Sequence, residues 1–221
     1  MRTLFLDSAS REHSLALVEG QHTLLWESLP SLGDALLTHL EAALRKVKMA
    51  MQEITRIACV TGPGGFASIR TAVTAANTLA YALGVPAAGV HLSDIWAVRC
   101  SAFAKATCPS GWRAADRQVS GVRLQDRLLW LHSTKKTQLF VREFPAFGEN
   151  FSEPILISLE EAKVLQGKYV GELLEEHKAA LPGCLPLGRE CIAPLEEILP
   201  GLVESLSFTK ELILPWYGRE P

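Results

Sequence analysis

Residues 57–83, IACVTGPGGFASIRTAVTAANTLAYAL, constrain the fold more than any other stretch of this chain. A β-branched apolar run over 57–61 meets Gly62-Pro63-Gly64-Gly65, and a long alanine-rich segment follows. Glycine admits close approaches and backbone angles that a side chain forbids. Pro63 fixes its own φ and cannot donate to a sheet, so the run reads as strand, tight turn and helix. Ile69, Val73, Ala76, Ala80 and Leu83 recur at spacings of four and three, which puts them on one face of a helix over 67–83. Thr71, Thr74, Thr78 and Tyr81 fall mostly on another face. Alanines at 67, 72, 75, 76, 80 and 82 keep the helix thin, so a neighbouring helix can approach closely. Gly84 and Pro86 end it. A glycine-rich turn opening a helix can also hold a phosphate on its free N–H groups. GPGGF, however, is neither G-x-G-x-x-G nor G-x-x-x-x-G-K-[ST], and no lysine follows.

Three strands are expected before this segment, over 3–7, 14–18 and 23–27, then a helix from Asp34, a fair N-cap, to about Lys48. Its apolar stripe is Leu36, Leu37, Leu40, Leu44 and Val47. A strand over 87–90 and a helix over 93–104 follow. The order βββαβαβα is that of the ribonuclease-H-like, actin-like (ASKHA) α/β fold, and residues 1–106 are assigned to a complete N-terminal lobe. Residues 107–127 break the pattern with Pro109, Gly111 and four arginines (Arg113, Arg117, Arg123, Arg127). They are read as a linker whose arginines, balanced by Asp116 and Asp126, are solvated rather than bound to nucleic-acid phosphates. Residues 128–221 are assigned to a reduced C-terminal lobe. Strands are expected there at 128–131, 138–144 and 154–157, a helix at 159–166, and helical or mixed segments near 171–180 and 194–199. No internal repeat is visible.

At 221 residues and 48% hydrophobic, the chain can bury a sizeable core. A net charge of −2 supplies no global basic field. The opening MRTLFLD is too short an apolar run for a signal peptide, and no stretch approaches the ~20 apolar residues of a membrane span. Five scattered cysteines without C-x-x-C read as thiols of a reducing compartment. A soluble, cytoplasmic protein with no membrane partner is expected.

The central segment resembles the signature of the TsaB (YeaZ) family, G-P-G-S-F-T-G-[LV]-R-x-G followed by an alanine-rich helix and a G-V strand. Gly62, Pro63, Gly64, Phe66 and Arg70 match. Gly65, Ala67, Ser68 and Ala72 stand where the pattern has Ser, Thr, Gly and Gly. The opening Leu4-Phe-Leu-Asp7-Ser8 and the tail Pro215-Trp216-Tyr217-Gly218-Arg219 are similar to the family's I-D-T-[SA] and P-x-Y-x-R. The family's D-A-R-x-x-E-V-[YF] is replaced at its Asp, Arg and Glu by the sequence of residues 133–140. Proteins of this family are non-catalytic subunits of the bacterial machinery that makes N6-threonylcarbamoyladenosine on tRNA. The resemblance implies a scaffold that pairs with the catalytic paralogue TsaD and is joined by the ATPase TsaE, with tRNA met only through the complex. A homodimer through the same surface is the alternative. The implied contact is a helical bundle made by the alanine-rich helix and the helix before it, with Leu36, Leu40, Arg70, Ala75, Thr78, Leu79 and Ala82 as interface residues. Gly62, Pro63, Gly64 and Gly65 are assigned to a structural turn. Gly62 and Gly64 are expected at backbone angles closed to other residues, and Arg70 is expected to hydrogen-bond across the helix start. Asp7 and Ser8 are assigned to a vestigial phosphate loop.

Catalytic features of such folds are missing from the sequence. ATP-using relatives wrap phosphate in a glycine-containing hairpin after the first-strand aspartate. Here no glycine occurs between Asp7 and Gly20, and side chains keep the backbone away from a phosphate tail. No aspartate follows Asp126, no Gly-Gly pair follows Gly64-Gly65, and Gly171-Glu172 is the one tempting substitute. The H-x-x-x-H of related catalytic subunits is absent, since the histidines (13, 22, 39, 91, 132, 177) are never three or four apart. Asp7, Ser8 and His13 form a triad on paper only, without a G-x-S-x-G elbow. No catalytic residue, metal or cofactor is expected. The rival reading is an enzyme, either a small actin-fold ATP-dependent kinase or a peptidase-like hydrolase.

Overall fold

The computed structural model describes residues 1–31, 33, 35–106, 118–119, 122–123, 128–144 and 152–218. The N-cap expected at Asp34, the arginines 113, 117 and 127 of the linker, and Arg219 of the tail motif lie outside the described residues. The chain divides into two compact units, Met1–Ile95 with Leu195–Pro221, and Trp96–Pro194.

In the first unit, β1 (Arg2–Asp7), β2 (His13–Glu19), β3 (His22–Leu29), β4 (Arg56–Gly62) and β5 (Ala87–His91) form one sheet in the order β3-β2-β1-β4-β5. β1, β2 and β3 pair antiparallel, and β1, β4 and β5 pair parallel. Every residue of β4 is buried, which explains its near-continuous apolar run. Helices α1 (Leu36–Lys46) and α2 (Phe66–Leu83) follow β3 and β4, and α3 (Leu92–Ala106) follows β5. α1 stops short of Lys48, which takes a left-handed φ of 55°, while Met49 N–H returns to the Leu44 carbonyl at 2.9 Å. α2 lays Ile69, Val73, Ala76 and Ala80, with Ala72, on its own sheet, and Gly84 caps it in the left-handed region.

In the second unit, β6 (Gln118–Val119) pairs with β7 (Val122–Arg123). β8 (Leu128–Lys135), β9 (Gln138–Phe144), β10 (Ile155–Ser158), β11 (Gly167–Glu172) and β12 (Cys184–Pro186) form a sheet in the order β10-β9-β8-β11-β12. Three antiparallel strands beside a parallel pair repeat the pattern of the first sheet. The lobe is therefore reduced in the length of its elements and not in its strand number. The helix expected over 159–166 is a single turn, α4 (Leu159–Ala162), and the segment expected as helical or mixed over 171–180 divides into the end of β11 and α5 (Glu175–Ala180). Leu129, Leu131, Leu139 and Val141 form the core against Ala162, Leu173 and Leu181.

α6 (Leu195–Ser205) belongs to the first unit, where it packs on β2 and β3. The sequence predicts a helical or mixed segment only near 194–199, whereas the helix runs on through Pro200 to Ser205. A proline inside a helix leaves the carbonyl four residues earlier without its N–H partner. Here that carbonyl, of Glu196, accepts the Thr23 hydroxyl of β3 at 2.8 Å. The tail after α6 also stays with this unit. Thr209 and Ala87 exchange backbone hydrogen bonds at 2.8 and 2.9 Å, and the Asn77 side chain bonds both the N–H and the C=O of Ile213 at 2.9 Å. Residues 195–221 thus sit with the first unit, whereas the sequence reading grouped them with the second.

Candidate functional site

The glycine–proline turn is built by steric necessity. Gly62 closes β4 at φ 131°, and a Cβ there would lie 2.4 Å from the Trp216 carbonyl oxygen. The Trp216 N–H donates to the Thr61 carbonyl at 2.8 Å, so the tail seals the end of the strand. Gly64 is not in the left-handed region, contrary to expectation. A Cβ on it would meet the Cα and carbonyl oxygen of Ala9 at 2.7 Å, so glycine is needed there for close approach. Gly65 is the N-cap of α2 and donates no side-chain cap. Arg70 makes no hydrogen bond across the helix start among the described residues. Its guanidinium instead lies over the Phe66 ring, 5.2 Å from the centroid, and the other neighbour of that ring is Tyr217 at 4.9 Å.

Asp7 is buried at the end of β1. One carboxylate oxygen accepts the N–H groups of Ala9 (2.9 Å) and Ser10 (3.1 Å), and the other accepts the Ser10 hydroxyl at 2.6 Å. The Ser8 hydroxyl donates to the Ser68 carbonyl at 2.8 Å. The turn after β1 is thus knotted by its own aspartate and packed on the Gly64 backbone. Burial pushes the Asp7 carboxyl above its ordinary value of 3.8, and the hydrogen bonds oppose that shift. A folded state that holds its proton more tightly than the unfolded chain loses stability as pH rises from 3.8 through the raised folded value. Asp7→Asn keeps both N–H acceptances and can donate to Ser10. The variant is therefore expected to be at least as stable as the parent at neutral pH and to lack that decline. Thermal melts of both proteins from acid to neutral pH check this, because their difference cancels the other carboxylates. A parent curve parallel to the variant's would refute it.

An open groove of about 690 Å³ runs along α2 and the start of α1. Leu36, Arg70, Ala75, Thr78 and Leu79, five of the residues assigned to an interface, line it. Two do not. Leu40 is fully buried, because Leu36, Leu40, Ala43 and Leu44 form the inward stripe of α1. Ala82 is exposed beyond the lining, toward the C-terminal end of α2. The groove also takes in Leu37 and Phe66, exposed by 59% and 60%, with Thr71 and Thr74. The threonine periodicity of α2 marked that outward face. Leu37 was indistinguishable from its leucine neighbours in the stripe of α1.

Elsewhere, in the second unit, a serine and a histidine meet. His177 is fully buried on α5. Its Nε2 faces the Lys136 carbonyl at 2.9 Å and its Nδ1 faces the Ser133 hydroxyl at 2.8 Å. A carbonyl only accepts, so Nε2 carries a proton and donates to Lys136. Ser133 Oγ in turn accepts the Leu174 N–H at 2.8 Å. The arrangement ties α5 to the β8–β9 hairpin. Of the triad drawn from Asp7, Ser8 and His13, the Asp7 carboxylate accepts the Ser10 hydroxyl and the Ser8 hydroxyl donates to the Ser68 carbonyl. Among the described residues no group of three or more His, Cys, Asp or Glu is placed to hold a metal ion, and no helix is long and apolar enough to cross a membrane.

Residues 33–112, which contain the turn, α2 and all of α1, match the family model described as TsaD: tRNA N6-adenosine threonylcarbamoyltransferase. None of the curated proteins matches the chain. Two solved structures are similar over nearly the whole length. One is an uncharacterized protein with similarity to peptidase YEAZ from Pseudomonas aeruginosa, at 18% identity and TM-score 0.67, with 99% of each chain covered. The other is YeaZ from Pseudomonas aeruginosa, at 19% identity and TM-score 0.65, covering 98% of this chain and 99% of that one. At such identities the likeness fixes the fold.

Proposed function

On the TsaB/YeaZ family assignment that the family match and the full-length likeness support, we propose that this chain is a non-catalytic scaffold subunit in N6-threonylcarbamoyladenosine synthesis on tRNA. It docks the catalytic paralogue TsaD through the groove of α2 and α1, and the ATPase TsaE joins that pair. tRNA reaches it only through the complex, which works in the cytoplasm. The observation that carries the reading is the groove itself. An outward helix face of alanine, threonine and leucine, with Ala75 in the middle of the lining, is shaped for another helix. The knotted Asp7 hairpin supports the non-catalytic half of the reading, because its carboxylate already takes the Ala9 and Ser10 N–H groups that could otherwise face a phosphate.

The experiment has two arms. The purified protein is mixed with the TsaD-family protein of the same organism and followed by size-exclusion chromatography with light scattering. The protein alone is assayed for turnover of Mg-ATP. A one-to-one complex and no turnover are expected. Turnover that disappears in Asp7→Ala would establish the kinase-type rival instead.

A further inference from the structure

The chain enters the second unit at Trp96, in α3, and leaves it at Pro194. Just inside, entry and exit are bound to each other. The Ala193 N–H donates to the Arg99 carbonyl at 3.2 Å, and Arg99 Nε donates to the Ala193 carbonyl at 2.9 Å. The Arg99 guanidinium also lies over the Trp96 ring, 4.4 Å from its centroid, so the clasp is braced from its own helix. A cysteine stands beside each half of this clasp. Cys100 follows Arg99 on α3 and is partly exposed. Cys191, two residues before Ala193, is buried at the end of a 3-10 turn (Arg189–Cys191), where its N–H closes on the Gly188 carbonyl at 2.9 Å. Both are free thiols. Burial pushes the Cys100 thiol up to about 12, and Cys191 lies close enough to add to that rise. A disulfide needs Cα atoms roughly 4.4–6.8 Å apart. Residues one and two positions from a pair of hydrogen bonds between the same two segments are within reach of that separation.

We propose that Cys100 and Cys191 are a reversible redox pair, whose disulfide locks the neck of the second unit by joining α3 to the turn before Ala193. The oxidant is a low-molecular-weight disulfide such as oxidised glutathione. The more exposed Cys100, as thiolate, attacks one of its sulfurs and releases one glutathione thiolate. Cys191, its proton lost to water, then attacks the Cys100 sulfur of the mixed disulfide and releases the second glutathione thiolate. The protein gives up two electrons and two protons, and one glutathione disulfide becomes two thiols. A thiol held up by burial is seldom ionised near neutral pH, so the exchange is slow and the pair stays reduced until the oxidant is sustained. Closing the loop from residue 100 to residue 191 encloses nearly the whole unit and restrains its unfolded state. The lock is independent of what occupies the groove of α2.

The full chain is incubated with excess oxidised glutathione under native conditions, quenched in acid, and followed by intact mass, peptide mapping and thermal melts. The expected result is a loss of two hydrogens, one cross-linked peptide joining Cys100 to Cys191, and a midpoint raised by about 5–10 °C. Dithiothreitol should reverse all three. Cys100→Ser and Cys191→Ser should each abolish them, whereas Cys108→Ser should keep them. An unchanged parent mass after prolonged exposure overturns the proposal. So does a lasting glutathione adduct without a cross-link, or a cross-link that uses Cys108 in place of either residue. A bond between Cys100 and Cys191 that leaves the midpoint unmoved overturns the locking role. Because the mapping is done on the parent, the outcome is decided even where a serine variant folds poorly.

Discussion

Ala75→Trp is expected to abolish association while the protein stays folded. Ala75 is half-buried in the groove lining on the flank of α2 that faces away from the sheet, with Ile69, Val73, Ala76 and Ala80 on the inward side. An indole there projects into the groove, so the core is not overpacked. It does occupy the space a partner helix needs at close spacing. A specific interface buries about 800 Å² on each side, and its energy is concentrated near the centre. Blocking that centre is worth several kcal/mol, or roughly a thousandfold in affinity. Light scattering of the variant with the TsaD-family protein of the same organism, the partner proposed above, gives the answer beside a far-ultraviolet circular dichroism spectrum. A folded variant that still binds would place the interface elsewhere and leave α2 with a purely structural role.

Gly62→Ala is expected to lower the melting temperature by about 10 °C. Two costs combine. A side chain at φ 131° is strained by ~1–3 kcal/mol, and its Cβ would sit 2.4 Å from a backbone carbonyl that cannot rotate away. Trp216, which owns that carbonyl, is fixed by its own hydrogen bond to Thr61. Together these come to ~3–5 kcal/mol, and for a chain of this size each kcal/mol moves the midpoint by about 2–4 °C. Gly84→Ala separates the two contributions. Gly84 is also left-handed, at φ 68°, but nothing lies within 4 Å of a Cβ there, so its loss should be ~1 kcal/mol. Gly64→Val should fall with Gly62→Ala, through contact with Ala9 and not through φ. Melting by differential scanning calorimetry ranks the three, and equal shifts at Gly62 and Gly84 would show that the tail does not press on the turn.

The strand–turn–helix of β4 and α2 was legible in the sequence because local chemistry decides it. β-branched residues, a glycine–proline break and a stripe at helical spacing leave few alternatives. The same holds for the inward face of α2, where Ile69, Val73, Ala76 and Ala80 are buried, with Ala72 added and Leu83 only half-buried. Other features depend on what another part of the chain supplies. α6 continues through Pro200 only because Thr23, far away in sequence, takes the orphaned Glu196 carbonyl. β11 and β12 are short and mixed in composition, and they become strands by pairing beside β8. Gly64 looked like a residue of special backbone angle. Its reason is the backbone of Ala9, brought against it by the β1–β2 hairpin. Leu37 and Leu40 are the same residue type three positions apart in α1, and the packing of that helix buried Leu40 and left Leu37 on the groove. Sequence determined the elements from β1 to α3 and which face of α2 is apolar enough to be core, since propensity and periodicity act within a few residues. Only the tertiary structure decided which surfaces stay open and where the tail returns, because burial and hydrogen bonding there are settled between residues distant in the chain.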